Sequence, residues 1–175
     1  SDGTTSVDET GTTDTFTVVL DAEPASDVVL TVTSSDPGEA TVTSTLTFTS
    51  ANWDNAQTVT VTGVDDNLID GTIGSTITVA VEDANSDDDF DAVADQTVSV
   101  TTTDDDVAGF TIVESDGTTS VDESGTTDTF TIVLDAQPTS DVVLTISSND
   151  TGETTTTGTL TFSPVNWDTP QTITI

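Results

Sequence analysis

No lysine, arginine, histidine, cysteine or methionine occurs among the 175 residues, while aspartate and glutamate together number 33 and set the formal charge at -33. Each absence removes a class of chemistry. Without cysteine there is no disulfide, thiolate metal site or thiol nucleophile. Without histidine there is no imidazole base and no Ser-His triad. Without lysine there is no Schiff base. With no cation to meet a phosphate, nucleic acid is excluded as a partner, and anionic membrane surfaces repel the chain. No apolar run approaches the length of a membrane span, so membrane insertion is not expected. Carboxylates, hydroxyls, amides and backbone groups remain, and these are the ligands of a hard cation such as Ca²⁺.

Apolar residues make up only 32% of the chain, a composition that by itself leans towards disorder. The pattern points the other way. Threonine is roughly a quarter of the sequence, and valine and isoleucine are common; these β-branched residues favour strands. Strict alternation runs through Thr58-Val59-Thr60-Val61-Thr62, Thr76-Ile77-Thr78-Val79-Ala80-Val81 and Thr97-Val98-Ser99-Val100-Thr101. A period of two with one apolar face predicts half-buried antiparallel strands.

The nine residues Ser1 to Glu9 recur unchanged from Ser115 to Glu123, an offset of 114. Carried forward without a gap, the offset aligns Phe16 with Phe130, Leu46 with Leu160 and Trp53 with Trp167, and about 43 of 61 aligned pairs are identical. A period this long marks tandem globular domains. Seven strands per period are expected, near residues 109–114, 15–20, 28–34, 40–49, 57–64, 76–83 and 96–103, separated by turn signals such as Asp36-Pro37-Gly38 and Asp70-Gly71. The expected fold is all-β: tandem immunoglobulin-like seven-stranded β-sandwiches, cut at both ends. The first repeat spans 1–106 and lacks its first strand; the second spans 107–175 and holds only its N-terminal half. Core candidates are Phe16, Leu20, Val29, Val32, Leu46, Phe48, Val59, Val61, Ile77, Val79, Val98 and Val100.

The candidate chemistry lies in carboxylates at strand ends. Asp65-Asp66-Asn67 and Asp104-Asp105-Asp106 follow strands, Glu9 and Glu123 precede a glycine turn, and Asp36 and Asp150 sit in the next turn. Two carboxylates about 4 Å apart repel by roughly 4 kcal/mol at an effective dielectric of 20. A divalent ion converts that repulsion into binding energy, and oxygen-only ligands select Ca²⁺. The competing reading is a set of solvated loops that keep the protein soluble. Asp83-Ala84-Asn85-Ser86-Asp87-Asp88-Asp89 spaces its oxygens as a calcium loop does, without the glycine and glutamate of an EF-hand.

The segment Thr102-Thr103-Asp104-Asp105-Asp106-Val107-Ala108-Gly109-Phe110 resembles the junction between Calx-beta repeats. Val61-Thr62-Gly63-Val64-Asp65-Asp66-Asn67 resembles the mid-domain acidic run of that family, and Val7-Asp8-Glu9-Thr10-Gly11 its opening turn. The Thr- and Asp-rich form is similar to Calx-beta-like repeats of large bacterial surface proteins and adhesins. The resemblance implies calcium at one end of each sandwich, with Glu9, Asp36, Asp65, Asp66, Asp70, Asp104, Asp105 and Asp106 as ligands in the first copy and Glu123 and Asp150 as a partial set in the second. Asn67 departs from the family, which has an acid there. The function expected is a calcium-binding structural repeat of a long extracellular, secreted or cell-surface protein: a filament, matrix component or adhesin stalk, not an enzyme. The partners expected are other copies of the repeat, joined covalently or head to tail. A module that binds cell-surface glycans or a protein partner is the alternative.

Overall fold

The computed structural model describes residues 4–156 and 158–175. The chain divides into two compact units, the first running through Asp66 and again over Asp70–Asp105, the second comprising Asn67–Ile69 and Asp106–Ile175. Both are all-β, and no helix among the described residues is long and apolar enough to cross a membrane.

The first unit is a β-sandwich of eight strands: β1 (Thr5–Asp8), β2 (Thr13–Val18), β3 (Val28–Ser34), β4 (Ala40–Val42), β5 (Thr45–Phe48), β6 (Gln57–Gly63), β7 (Ile73–Val81) and β8 (Gln96–Thr103). One sheet has the order β1-β8-β7-β3-β5 and the other β2-β6-β4. All pairings are antiparallel except β1 with β8, where Thr5, Ser6, Val7 and Asp8 run parallel to Val100, Thr101, Thr102 and Thr103. The inward faces of the two sheets form one core that includes Val28, Leu30, Val32, Phe48, Val59, Val61, Ile77 and Val100.

Two expectations are corrected. The single strand read over 40–49 is two strands in different sheets. β4 pairs with β6, whereas β5 pairs with β3, and the chain crosses between the sheets at Thr43-Ser44. The backbone stays satisfied at the crossing: Thr43 N–H donates to the Thr60 carbonyl at 3.1 Å, and Val32 N–H to the Ser44 carbonyl at 2.9 Å. In β3 the core face is Val28, Leu30 and Val32, and Val29 is only half-buried. Val29 and Val32 are an odd number of residues apart, so a pleated strand cannot point both at one core.

The second unit has β9 (Phe110–Glu114), β10 (Thr129–Leu134), β11 (Val142–Thr145), β12 (Thr159–Phe162) and β13 (Gln171–Thr174). Its sheets have the orders β13-β10-β9 and β11-β12. Ile132, Leu134, Phe162 and Ile173 are buried, with Trp167 and others packed against them.

Candidate metal centre

At one end of the first unit the chain brings together the C-terminal ends of β1, β6 and β8 and the N-terminal ends of β4 and β7. This follows from the pairings: β4 runs against β6, β7 against β8, and β1 with β8. Residues just outside these ends therefore share one small region. Glu9 follows β1, Asp66 follows β6, Asp104 follows β8, Glu39 precedes β4 and Asp70 precedes β7.

Glu9 is 1% exposed and Glu39 8%. Backbone bonds hold both in place. Glu9 N–H donates to the Thr103 carbonyl at 3.1 Å, extending the β1–β8 pairing by one residue. The Glu39 carbonyl accepts from Val64 N–H at 2.9 Å and from the buried Thr102 hydroxyl at 3.3 Å. Gly63, at the end of β6, allows the close approach of β1, since a Cβ there would overlap the Asp8 carbonyl. Asp104 Oδ2 accepts from Gly71 N–H at 2.8 Å and so draws the Asp70-Gly71 turn, with Gly71 at φ +78°, towards the end of β8.

Glu9, Glu39 and Asp70 offer carboxylate oxygens that lie within 4.8 Å of one another, and Asp104 joins Glu9 in a further group of the same kind. Glu9 Oε2 and Glu39 Oε2 are buried without a hydrogen-bond partner. Burial pushes the Glu9 carboxyl up to about 7, with Asp104, Asp66, Asp70 and Glu39 adding repulsion. Glu39 is raised by burial first and then by Asp70, Asp36, Asp66 and Asp104. Asp70 is raised by desolvation, then by Asp66 and Asp104. The neighbouring Asp8 behaves oppositely: its Oδ1 accepts from the Thr10 hydroxyl and N–H, which lowers its pKa. One carboxylate of the Asp8-Glu9 pair serves the turn, and the other is buried among acids.

Of the residues expected as ligands, Glu9, Asp70 and Asp104 offer oxygens to these groups, and Asp66 and Asp36 add negative potential beside them. Asp65 and Asp105 are exposed, and Asp106 is a half-buried residue that opens the second unit. Asp36 and Asp150 are exposed and tie turns, their Oδ1 atoms accepting from Gly38 and Gly152 N–H at 3.1 Å. Glu123 is exposed. Glu39 was not among the expected residues and joins Glu9 and Asp70 in the cluster; its one signal in the sequence is its position, an acid directly before an apolar strand start. Within the acidic loop 83–89, Asp87 staples loops together: its carboxylate accepts from Ala25, Ser26 and Asp89 N–H at 2.6, 3.0 and 3.1 Å. Trp53 and Trp167 are half-buried, and each accepts at its carbonyl from a backbone amide, that of Leu20 just past β2 or that of Leu134 at the end of β10, at 3.2 Å.

The donor set is oxygen only, anionic and partly desolvated, and no side chain in the sequence can neutralise it. Such a set fits a hard divalent cation, Ca²⁺ in particular. Fold and site together define a β-sandwich domain with a buried acidic cluster at one end. No family model and no curated protein matches the chain. Among solved structures it is similar to SSP-19, an MSP-domain protein-like family member in Caenorhabditis elegans, at 18% identity over 59% of this chain and 94% of that one, with a TM-score of 0.38. It is also similar to the E. coli chaperone DraB, at 10% identity over 74% and 66% with a TM-score of 0.43. A third is CBD12 from CALX1.2, at 15% identity over 99% and 73% with a TM-score of 0.38. All three scores lie below 0.5, and the sandwich assignment rests on the sheets themselves.

Proposed function

We propose that the first unit binds Ca²⁺ through Glu9, Glu39, Asp70 and Asp104, with Asp66 contributing negative potential. The observation that carries this reading is the pair of buried, unpartnered oxygens on Glu9 and Glu39, set among further acids in a chain without a single cationic side chain. An unpaired buried charge is costly, and removing one partner of such a set leaves the rest uncompensated. A bound Ca²⁺ supplies the missing partner. Carboxylate and carbonyl oxygens in flexible number suit Ca²⁺ better than Mg²⁺, which demands a tight octahedron and keeps its water.

The wider role proposed is that of a non-enzymatic structural repeat in a long extracellular surface protein, filament or adhesin stalk, with calcium stiffening the joints between repeats. The supports are the 114-residue repeat and the likeness of Asp104-Asp105-Asp106 to a Calx-beta junction.

Thermal unfolding in chelator and in millimolar Ca²⁺, at matched ionic strength, tests the site. One ion at a thousandfold excess over its dissociation constant stabilises by about 4 kcal/mol, a rise of many degrees. Native mass spectrometry counts the ions. An unchanged melt overturns the calcium reading.

A further inference from the structure

The turn between β3 and β4 carries the one Asp-Pro bond of the sequence, Asp36-Pro37. Three donors converge on its carbonyl. The Asp36 carbonyl oxygen accepts from the Ser34 hydroxyl at 3.0 Å, from Ala40 N–H at 3.1 Å and from Glu39 N–H at 3.3 Å. A neutral carbonyl has two lone pairs for such bonds, whereas the oxyanion of a tetrahedral intermediate has three. The donors are held in place. Ser34 Oγ accepts from Asp36 N–H at 3.2 Å, which leaves its own proton for the carbonyl. Glu39 and Ala40 are buried, and Ala40 opens β4 opposite Gly63. The aspartate side chain turns back along the same bond: Asp36 Oδ1 accepts from Gly38 N–H at 3.1 Å, closing a ring through Pro37.

We infer that the first unit cleaves its own chain between Asp36 and Pro37. Asp36 Oδ2 attacks the carbonyl carbon of its own residue and closes a five-membered cyclic anhydride. The C–N bond to Pro37 breaks, its electron pair stays on nitrogen, and a proton from water converts the proline to a free secondary amine. The hydroxide so formed opens the anhydride, leaving both carboxyl groups on Asp36. One water is consumed, and nothing is oxidised or reduced. The nucleophile is a carboxylate, and it needs no second molecule to bring it into place. Ser34, Glu39 and Ala40 stabilise the oxyanion as its charge develops, and one such donor is worth about a hundredfold in acyl transfer. Pro37 is the leaving group, and its amide is tertiary.

The second unit holds the same cradle with a different leaving group. The Asp150 carbonyl accepts from the Ser148 hydroxyl at 2.9 Å, from Thr154 N–H at 3.0 Å and from Glu153 N–H at 3.3 Å, and Asp150 Oδ1 accepts from Gly152 N–H at 3.1 Å. Thr151 stands there in place of Pro37, so the cleavage belongs to the first unit alone. The cut leaves that unit assembled. β1, β2 and β3 precede the bond, and each pairs with a strand that follows it: β1 with β8, β2 with β6, and β3 with β5 and β7. Cleavage turns the sandwich into two chains joined by hydrogen bonds and core contacts.

The test uses the full chain at neutral pH with protease inhibitors, and in chelator so that its outcome is separate from that of the calcium site. Samples taken over days are read by mass spectrometry under denaturing conditions. Fragments 1–36 and 37–175 are expected, accumulating with a first-order rate that does not change with protein concentration. Native mass spectrometry of the same samples should still show one species of 18.0 kDa. In concentrated urea, which undoes the turn, the rate should fall at least about tenfold, and Ser34→Ala should slow the folded chain by a similar factor. Thr151→Pro should open a second cleavage after Asp150 and leave the first unchanged, a gain that loss of folding cannot produce. A folded chain that stays whole overturns the inference. An equal rate in urea, or in Ser34→Ala, reduces the cut to the ordinary fragility of Asp-Pro bonds and overturns the cradle. A folded Thr151→Pro chain that stays whole after Asp150 overturns it as well.

Discussion

Thr5-Ser6-Val7-Asp8-Glu9 and Thr119-Ser120-Val121-Asp122-Glu123 are the same five residues, yet the first four form β1 in one copy and irregular chain in the other. The turns that follow are alike. Gly11 and Gly125 have φ of +85° and +86°, and each donates its N–H to the carbonyl of Asp8 or Asp122, at 3.2 and 3.1 Å. Asp8 N–H meets the Thr12 hydroxyl at 2.8 Å, and Asp122 N–H meets that of Thr126 at 2.9 Å. Ser6 and Ser120 donate their N–H to Asp14 and Asp128. What differs is the distant partner. β1 lies on β8, whereas residues 119–122 pair with no strand among the described residues. Short-range chemistry fixes the turn in both copies; strand formation and the burial of the glutamate depend on residues about ninety positions away. A sheet is specified by what a segment lies against more than by its own propensity.

Four experiments press on this comparison, the largest effect first. Glu9→Gln should abolish most of the roughly 4 kcal/mol calcium stabilisation, whereas Glu123→Gln, at the same place in the repeat, should leave it intact; calcium-dependent melts of the two variants check this. The second concerns pH in the absence of calcium. The folded Glu9 carboxyl is raised to about 7 from 4.5, so the folded state holds the proton more tightly. Its contribution to stability is full below pH 4.5 and is lost as pH rises through 7, with a slope approaching 1.4 kcal/mol per pH unit between them. Amide exchange of the first unit, measured across that range, should show the decline, and Glu9→Gln should flatten it. Asp8 and Asp122 are both lowered from 3.8 and act in the opposite sense, losing stability as pH falls below about 4 in both copies.

Third, Val7 is buried against the first core and Val121 is only half-buried. Val7→Ala should cost about 2 kcal/mol and Val121→Ala under about 0.5, read by denaturant unfolding. Equal costs would mean that β1 contributes nothing beyond its local turn. The smallest effect sharpens the comparison from the other side. Gly11→Ala and Gly125→Ala should each cost about 1 kcal/mol, because both turns need the same left-handed residue with open space around it. A large inequality there would show that the turns are not locally determined.

Much of the sandwich was legible in the sequence because alternation survives in β6, β7 and β8, where one face meets the core and the other meets solvent. β1 was not legible. Thr-Ser-Val-Asp carries a single large apolar residue, and its pairing is with a segment far along the chain. The division of 40–49 was hidden because Ala40, Val42, Leu46 and Phe48 keep an even spacing across Thr43-Ser44 while the chain changes sheets. The acidic end of the domain was legible as a cluster of acids at strand ends, since Glu9, Asp70 and Asp104 carry charge where strands stop. Glu39 was not, because its importance comes from burial beside Thr102 and Val64, which only the packed sheets reveal. Asp36 and Asp150 each give one oxygen to a backbone amide of their own turn, and Asp36 also adds repulsion to Glu39 and Asp70.

The parallel pairing of β1 with β8 has a mechanical consequence. Of the first unit's described strands β1 comes first and β8 last, and the two lie side by side pointing the same way. Force applied at the start of β1 and at the end of β8 drags β1 backwards and β8 forwards. The load therefore runs along the strands and strains the rungs from Thr5–Val100 to Asp8–Thr103 together, in shear, instead of peeling them apart one by one. The acids sit at the downstream end of those rungs, where Glu9 is tied to Thr103. An ion held between Glu9 and Asp104 would clamp the two load-bearing strands to each other, so the force needed to unravel the unit would be set by the calcium concentration around it.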